Sequence, residues 1–235
     1  MDKLYIVIPA YNEAENIIRV AREWHEVVKR ISAESRLVVI DDGSKDHTYS
    51  ILTGLKDELS QLTALTKPNG GHGATVLYGY NYALSQEADY IFQTDADGQT
   101  IPSEFWAFWE LRTKFTAIIG YRNHRKDGIS RIFVSKVLKI ILWSVFKLTI
   151  PDANTPFRLI RNDVLKKHIG KIPDNYNLSN VLLTVLLVKC KDNIKFTPIT
   201  FRPRQGGVNS INLRKIAKIG FQAIKDFLEL KKMIK

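Results

Sequence analysis

An α/β fold, a Rossmann-like, mostly parallel central sheet flanked by helices, is predicted by two features of the first hundred residues. Short runs that are apolar at nearly every position alternate with segments whose apolar residues recur at helical period. Each run ends in a polar, turn-forming cluster. Continuous apolar runs suit strands buried on both faces, as in a parallel sheet. In such sheets ligands bind beyond the carboxyl ends of the strands, which directs attention to the clusters at 9–13, 41–44 and 95–99.

The first strand is read at Leu4–Pro9. A helix follows, with Asn12 as N-cap, Glu15 at capping-box spacing, and Ile17, Ile18, Ala21, Trp24, Val27, Val28 and Ile31 on one face. The second strand, Leu37–Ile40, runs into Asp41-Asp42-Gly43-Ser44, and the next helix carries Ile51, Leu52, Leu55 and Leu59. A third strand is expected at Leu62–Thr66. After Lys67-Pro68-Asn69-Gly70-Gly71-His72-Gly73 come a helix to about Ser85, a strand at Tyr90–Thr94 and the cluster Asp95-Ala96-Asp97-Gly98-Gln99. The second half is less regular. It reads as a strand at Ala117–Tyr121, a basic amphipathic stretch at 129–149, helices near 161–169 and 177–190, a strand at Phe196–Phe201 and a final helix from about Leu213. One domain over 1–211 is expected, with a nucleotide-binding half at 1–100, an acceptor half at 101–211, and a basic amphipathic helix over 212–235.

Composition narrows the class. The chain has 235 residues and a formal charge of +11, with 45% hydrophobic residues, enough to bury a core without covalent help. One cysteine, Cys190, excludes an internal disulfide, and the six-residue apolar run at the amino terminus argues against a signal peptide. Spanning a bilayer takes about 20 predominantly apolar residues. Val134–Leu148 is interrupted by Lys136 and Lys139, and Leu178–Val188 is too short, so no transmembrane helix is expected. Charge is unevenly placed: residues 1–100 hold 9 basic and 15 acidic side chains, residues 101–235 hold 26 and 9. An acidic half suits a metal or cationic ligand, and a basic half suits phosphates or an anionic membrane surface. Nucleic acid is not an expected partner, because the acidic strand ends have no place in such a protein and no helix-turn-helix, RRM or zinc pattern is present.

Asp95 and Asp97 stand two apart just beyond an apolar strand. In extended backbone both carboxylates point to one side, able to share a divalent cation with a ligand's phosphates or, alternatively, to build a surface turn. Gln99 repeats the spacing. Trp106 at the twelfth position excludes an EF-hand loop. Asp41 and Asp42 form a like-charge pair suited to accepting from a base N–H or ribose hydroxyls, or to a capped turn, with the helix starting near Asp46 offsetting part of the repulsion. The glycines from Gly70 allow the backbone to approach a flat ligand closely. The P-loop and GxGxxG patterns are both missing, and His72 reads as a loop residue rather than a metal ligand.

The segments IVIPAYNEAEN, VVIDDGSKDHT, NGGHGA, DADGQ, GYR and DANTPFRLIR, in this order from Tyr5 to about Ser210, resemble the family-2 glycosyltransferases of the GT-A fold. DxD with a following Gln, FRLIR and RQGGVNS are most similar to the polyprenyl-phosphate sugar transferases, the group that includes dolichol-phosphate mannosyltransferase. The resemblance implies an inverting, Mg²⁺- or Mn²⁺-dependent enzyme using a GDP- or UDP-sugar donor. Pro9, Tyr11, Glu13 and Asp42 would surround the nucleotide, Asp95 would lie near ribose or sugar, and Asp97 and Gln99 would hold the metal. Arg122, and Arg202 or Arg204, would meet phosphates. The implied acceptor is a dolichyl or undecaprenyl phosphate, met by a protein peripheral to the cytoplasmic membrane's inner face. The alternative is a saccharide hydroxyl, as in capsule or O-antigen assembly. A hydroxyl acceptor needs a base, for which Asp152 is the candidate, although it equally suits a helix cap after Pro151. The sequence departs from the family at Thr155-Pro156, where many relatives carry a small residue and glycine. The basic amphipathic stretch at 128–148 and the carboxyl-terminal helix suit a membrane interface, an integral membrane partner, or packing on the sheet.

Overall fold

The computed structural model describes residues 2–122, 129–203, 222, 224–229 and 231–232, with the side chains of 129–134 left aside. Among them, seven strands form one sheet: β1 (Leu4–Ala10), β2 (Arg36–Asp41), β3 (Leu62–Thr66), β4 (Tyr90–Gln93), β5 (Ala117–Arg122), β6 (Arg158–Arg161) and β7 (Ile194–Ile199). Their order across the sheet is β3-β2-β1-β4-β6-β5-β7. Every pairing is parallel except those of β6, which runs antiparallel to β4 and β5. Among the described residues the flanking helices include α1 (Ile17–Ile31), α2 (Thr48–Gly54), α3 (His72–Ser85), α4 (Phe105–Leu111), α5 (Ile129–Phe146), α6 (Asn162–Ile169) and α7 (Ser179–Lys189).

The central strands bury both faces because their side chains alternate between two apolar layers. Leu4, Ile6 and Ile8 of β1 join Leu37 and Val39 of β2 under α1, where Trp24 meets Phe92 and Phe157. Tyr5 and Val7 join Val38 and Ile40 on the other face, beneath α3, α5 and α7. Gly79 lets α3 lie close on that face, since a Cβ there would collide with Val7 and stand 2.8 Å from Ile40. The chain leaves β1 toward β2 and β3 on one side and reaches β4 on the other. The carboxyl ends of β1 and β4 therefore flank the crevice at which connections diverge, the usual place for a ligand in open α/β sheets.

Three local expectations are corrected. Asn12 does not cap α1, which starts four residues later than that cap implies; its side-chain oxygen accepts from Lys45 N–H at 2.8 Å, and its backbone is left-handed, with φ 54. Cross-linking two loops satisfies the Asn12 amide better than an isolated helix end would, and the backbone oxygen of Glu13 receives the N–H groups of Asn16 and Ile17 instead. Residues 158–161 form the antiparallel strand β6, where only a helix near 161–169 was expected; four residues between β4 and β5 carry too short a period to announce a strand. Helix α4 was likewise unannounced. Arg204 and most of 212–235 lie outside the described residues. Within that last segment, residues 224–229 are helical and Phe227 is buried against Phe146 of α5, ring centres 5.8 Å apart, so this part packs on the protein.

Candidate active site

The loops after β1 and β2 are interlocked. Asn12 N–H donates to Ser44 Oγ at 2.9 Å, Glu13 N–H to Thr48 Oγ1 at 2.8 Å and Ala14 N–H to Asp46 at 3.1 Å. Glu13 is buried and accepts from Asn16 Nδ2 at 2.8 Å, while the Tyr11 ring stands exposed and Pro9 pairs with Ile40 inside the sheet. The two carboxylates ending β2 have separate tasks. Asp41 accepts from Ser44 N–H at 3.2 Å and Thr66 Oγ1 at 2.9 Å, which commits it to the turn. Asp42 receives Lys67 Nζ at 2.5 Å, Gly70 N–H at 2.9 Å and Gly71 N–H at 2.8 Å. Burial opposes its charge, but Lys67 and the Gly70 N–H outweigh that and hold its carboxyl below the usual carboxylate range. The like-charge pair is thus relieved by Lys67 and the glycine amides rather than by the helix near Asp46. Lys67, one residue past β3, is a participant that sequence reasoning missed.

At the end of β4, Asp95 Oδ1 lies 3.0 Å from Nε2 of His72, the first residue of α3. His72 is therefore part of this site. Desolvation opposes its protonation, yet the Asp95 and Asp97 carboxylates prevail and raise its pKa above the ordinary imidazole value. Gly73, next along, is needed because Tyr176 and Asn177 press against the α3 amino terminus, where a Cβ would collide with the Tyr176 carbonyl.

Gln99 is buried. Its Nε2 donates to the Arg202 carbonyl at 2.7 Å, and Arg202 N–H donates to the Gln99 carbonyl at 2.8 Å. Glu104 accepts Thr200 N–H at 3.0 Å, and the Arg122 guanidinium lies 5.1 Å from the Phe201 ring centre. The segment 200–202 is thereby laid across the Asp95–Gln99 turn, joining the acidic half to the basic one. Arg122 and Asp152, both picked as candidates, meet in a bidentate ion pair at 2.7 and 3.0 Å, with side chains 9% and 12% exposed. Arg122 is accordingly held in place by a carboxylate, since a guanidinium so nearly buried requires a counter-charge.

Among the described residues no group of three or more His, Cys, Asp and Glu side chains is arranged to hold a metal ion. The residues present do fit an ion bound together with a substrate. Asp97 is half-buried beside Gln99, accepting its N–H at 3.1 Å, and Gln99 Oε1 is buried with no hydrogen-bond partner. An oxygen left in that state is suited to a hard cation whose remaining ligands are phosphate oxygens and water.

A mostly parallel sheet with acidic loops at the ends of β1, β2 and β4 belongs to the class of α/β proteins that take a ligand at the switch point of the sheet. The sequence pattern of Glycosyl transferase family 2 matches residues 5–169, and the chain belongs to that family. It is 25% identical over 167 residues to the undecaprenyl-phosphate 4-deoxy-4-formamido-L-arabinose transferase of Yersinia enterocolitica, covering 70% of this chain and 50% of that protein. The chain thus spans about half the length of the curated relatives of this kind that it matches. An uncharacterized protein of Methanocaldococcus jannaschii is 28% identical over 230 residues, 93% of this chain and 96% of that one. Glucosyl-3-phosphoglycerate synthase from Mycobacterium tuberculosis, solved with Mn²⁺ and UDP-glucose, superposes with a TM-score of 0.69 at 14% identity, covering 98% of this chain and 79% of that one. That likeness establishes the GT-A fold.

Proposed function

We propose that this protein transfers a sugar from a nucleotide-sugar, with inversion, to a polyprenyl phosphate, aided by Mg²⁺ or Mn²⁺. The observation that carries the acceptor assignment is the Arg122–Asp152 pair. With Asp152 engaged by a guanidinium through both oxygens, it serves better as a counter-ion than as a base, which matches an acceptor that arrives already ionised. The relatives named as undecaprenyl-phosphate transferases support the same acceptor, and the synthase solved with Mn²⁺ and UDP-glucose supports a UDP-sugar and a divalent ion.

In this reading Tyr11, Pro9, Glu13, Asp42 and the Gly70 backbone receive the nucleoside, and Asp95 faces ribose or sugar. Asp97 and Gln99 would hold the ion, which when bound would supply positive charge to the leaving diphosphate. Arg202, and Arg204 beyond it, supply positive charge to the same phosphates. Arg122, steadied by Asp152, orients the attacking phosphate oxygen, and catalysis is chiefly positioning.

A peripheral place on the cytoplasmic membrane's inner face belongs to the same proposal. No helix among the described residues is long and apolar enough to cross a membrane. On α5 and just past it, Lys136, Ile140, Trp143 and Lys147 form an outward stripe at helical spacing, with Ile140 64% and Trp143 56% exposed and Lys147 Nζ 4.4 Å from the Trp143 ring centre. Together with Lys139, this stripe complements an anionic lipid surface, each lysine contributing about 1 kcal/mol.

The test is a donor screen: UDP- and GDP-sugars with Mg²⁺ or Mn²⁺, released nucleoside diphosphate being measured with and without a short polyprenyl phosphate. Release that requires both one sugar nucleotide and the lipid phosphate is expected. Release indifferent to the lipid would transfer the assignment to a saccharide hydroxyl acceptor.

A further inference from the structure

Arg158 lies on β6, fully buried, and every hydrogen bond it makes goes to a neutral acceptor. Its Nε and Nη2 donate to the Thr155 carbonyl at 3.1 and 2.7 Å, and Nη2 also to the Ala153 carbonyl at 3.3 Å. Nη1 reaches the Asn180 carbonyl at 3.1 Å and Thr184 Oγ1 at 3.3 Å, both on α7. The planar fork thus spans two segments, the 153–155 turn and the first turns of α7. Thr184 Oγ1 reinforces the tie by donating to the Ala153 carbonyl at 3.1 Å.

The turn so held begins at Asp152, whose Oδ1 accepts Asn154 N–H at 3.2 Å and whose carboxylate carries Arg122. The carbonyls of 153 and 155 meet Arg158 inside the protein, and the carboxylate one residue earlier meets Arg122. Burial pushes the Arg158 pKa down, against the pull of Tyr80, Asp152 and Asp95. A buried guanidinium with only neutral contacts is costly, and this one is placed where the carboxylates it senses belong to the candidate active site.

We propose that Arg158 is a positioning residue for transfer: by clamping the 153–155 turn to α7 it sets the Asp152 carboxylate and, through it, the Arg122 guanidinium that faces the acceptor. The inference rests on the transferase reading for its kinetic consequences and on geometry alone for its structural ones.

Arg158→Lys keeps the charge but loses the fork. Its kcat/KM for polyprenyl phosphate should fall on the order of 10²-fold, the scale expected when an orienting group is displaced by about 1 Å. The Kd for UDP with Mn²⁺ should stay within about twofold, since the nucleotide-side loops are untouched and distant sites behave independently. Losses from Arg158→Lys and Asp152→Asn should be far from additive, because both act through Arg122. A direct readout is exchange of the Arg122 Nε–H, hydrogen-bonded to Asp152 in the wild type and expected to lose protection in the variant. Should Arg158→Lys fail to fold, Thr184→Val perturbs the same clamp more gently and should shift acceptor kinetics and Nε–H exchange in the same direction. Additive losses, an equal fall in UDP affinity, or unchanged Arg122 Nε–H exchange would each overturn the proposal. A wild-type protein that transfers no sugar from any donor would sink the functional reading, while Nε–H exchange would still decide this one.

Discussion

Gln99 and Arg202, 103 residues apart in sequence, exchange two hydrogen bonds: the Gln99 side-chain amide donates to the Arg202 carbonyl at 2.7 Å, and the Arg202 N–H to the Gln99 carbonyl at 2.8 Å. The turn that carries Asp95 and Asp97 is therefore braced by a segment from the far end of the sheet. Gln99→Ala removes the side-chain bond to the Arg202 carbonyl, which costs about 1 kcal/mol. Lower thermal stability together with weaker Mn²⁺-dependent UDP binding by calorimetry is expected. A loss of stability alone would confine Gln99 to bracing.

Asp97→Asn keeps the turn, because an amide oxygen still accepts Gln99 N–H, but it removes a charge from the proposed metal site. Metal-dependent turnover should fall about 10²-fold or more, in line with losing a group that stabilises transition-state charge. Circular dichroism should be unchanged. Full activity in the variant would remove Asp97 from the metal.

Lys67→Met removes the cation from the buried Asp42 carboxylate and leaves it the two glycine N–H groups and the Thr75 hydroxyl. Breaking a buried ion pair costs several kcal/mol, and with those bonds retained a loss of about 2–3 kcal/mol is expected, a drop of roughly 4–12 °C in Tm. Because the folded Asp42 carboxyl lies below its unfolded pKa, its contribution is present above that unfolded value and fades as pH falls through the folded one. The variant should lose part of this acid-side dependence, measured as urea midpoints between pH 5 and 3.

His25 and His168 are buried, and desolvation holds both imidazoles below their ordinary pKa; for His168 this outweighs the opposing pull of Asp192, 2.6 Å away. As pH drops through about 6.5 the unfolded chain takes up protons that the folded protein refuses, so these groups make stability fall with falling pH. His72, with its pKa raised, acts oppositely: its contribution is complete below the unfolded imidazole pKa and is lost as pH rises through the folded one. Urea unfolding should show a shallower slope between pH 7 and 5.5 for His168→Gln than for the wild type. An identical slope would exclude His168 as a contributor.

Trp143→Ser combined with Lys139→Glu and Lys147→Glu should abolish flotation with anionic vesicles, because apolar insertion and several lysine contributions of about 1 kcal/mol each are removed together. Unchanged flotation would move the contact away from α5.

The amino-terminal half was legible because its physics is local. Strands buried on both faces are apolar nearly throughout, so β1, β2 and β4 announced themselves, and the polar residues beyond their ends marked the crevice. The six motifs also carried the family, whose pattern matches residues 5–169. Pairings between distant residues left no such trace. Nothing in the order of residues says that Asp41 supports a turn while Asp42 takes Lys67, that His72 reaches Asp95, or that Arg122 is matched by Asp152. The four-residue strand β6 was hidden for the same reason: its place between β4 and β5 is stabilised by partners on both sides rather than by its own propensity. Sequence alone determined the class of fold, the family and the list of polar candidates, since hydrophobic period and turn chemistry act over a few residues. Which candidates are open to a ligand and which are occupied by one another was decided by tertiary structure, because burial makes every charge find a partner and only the folded chain supplies those partners.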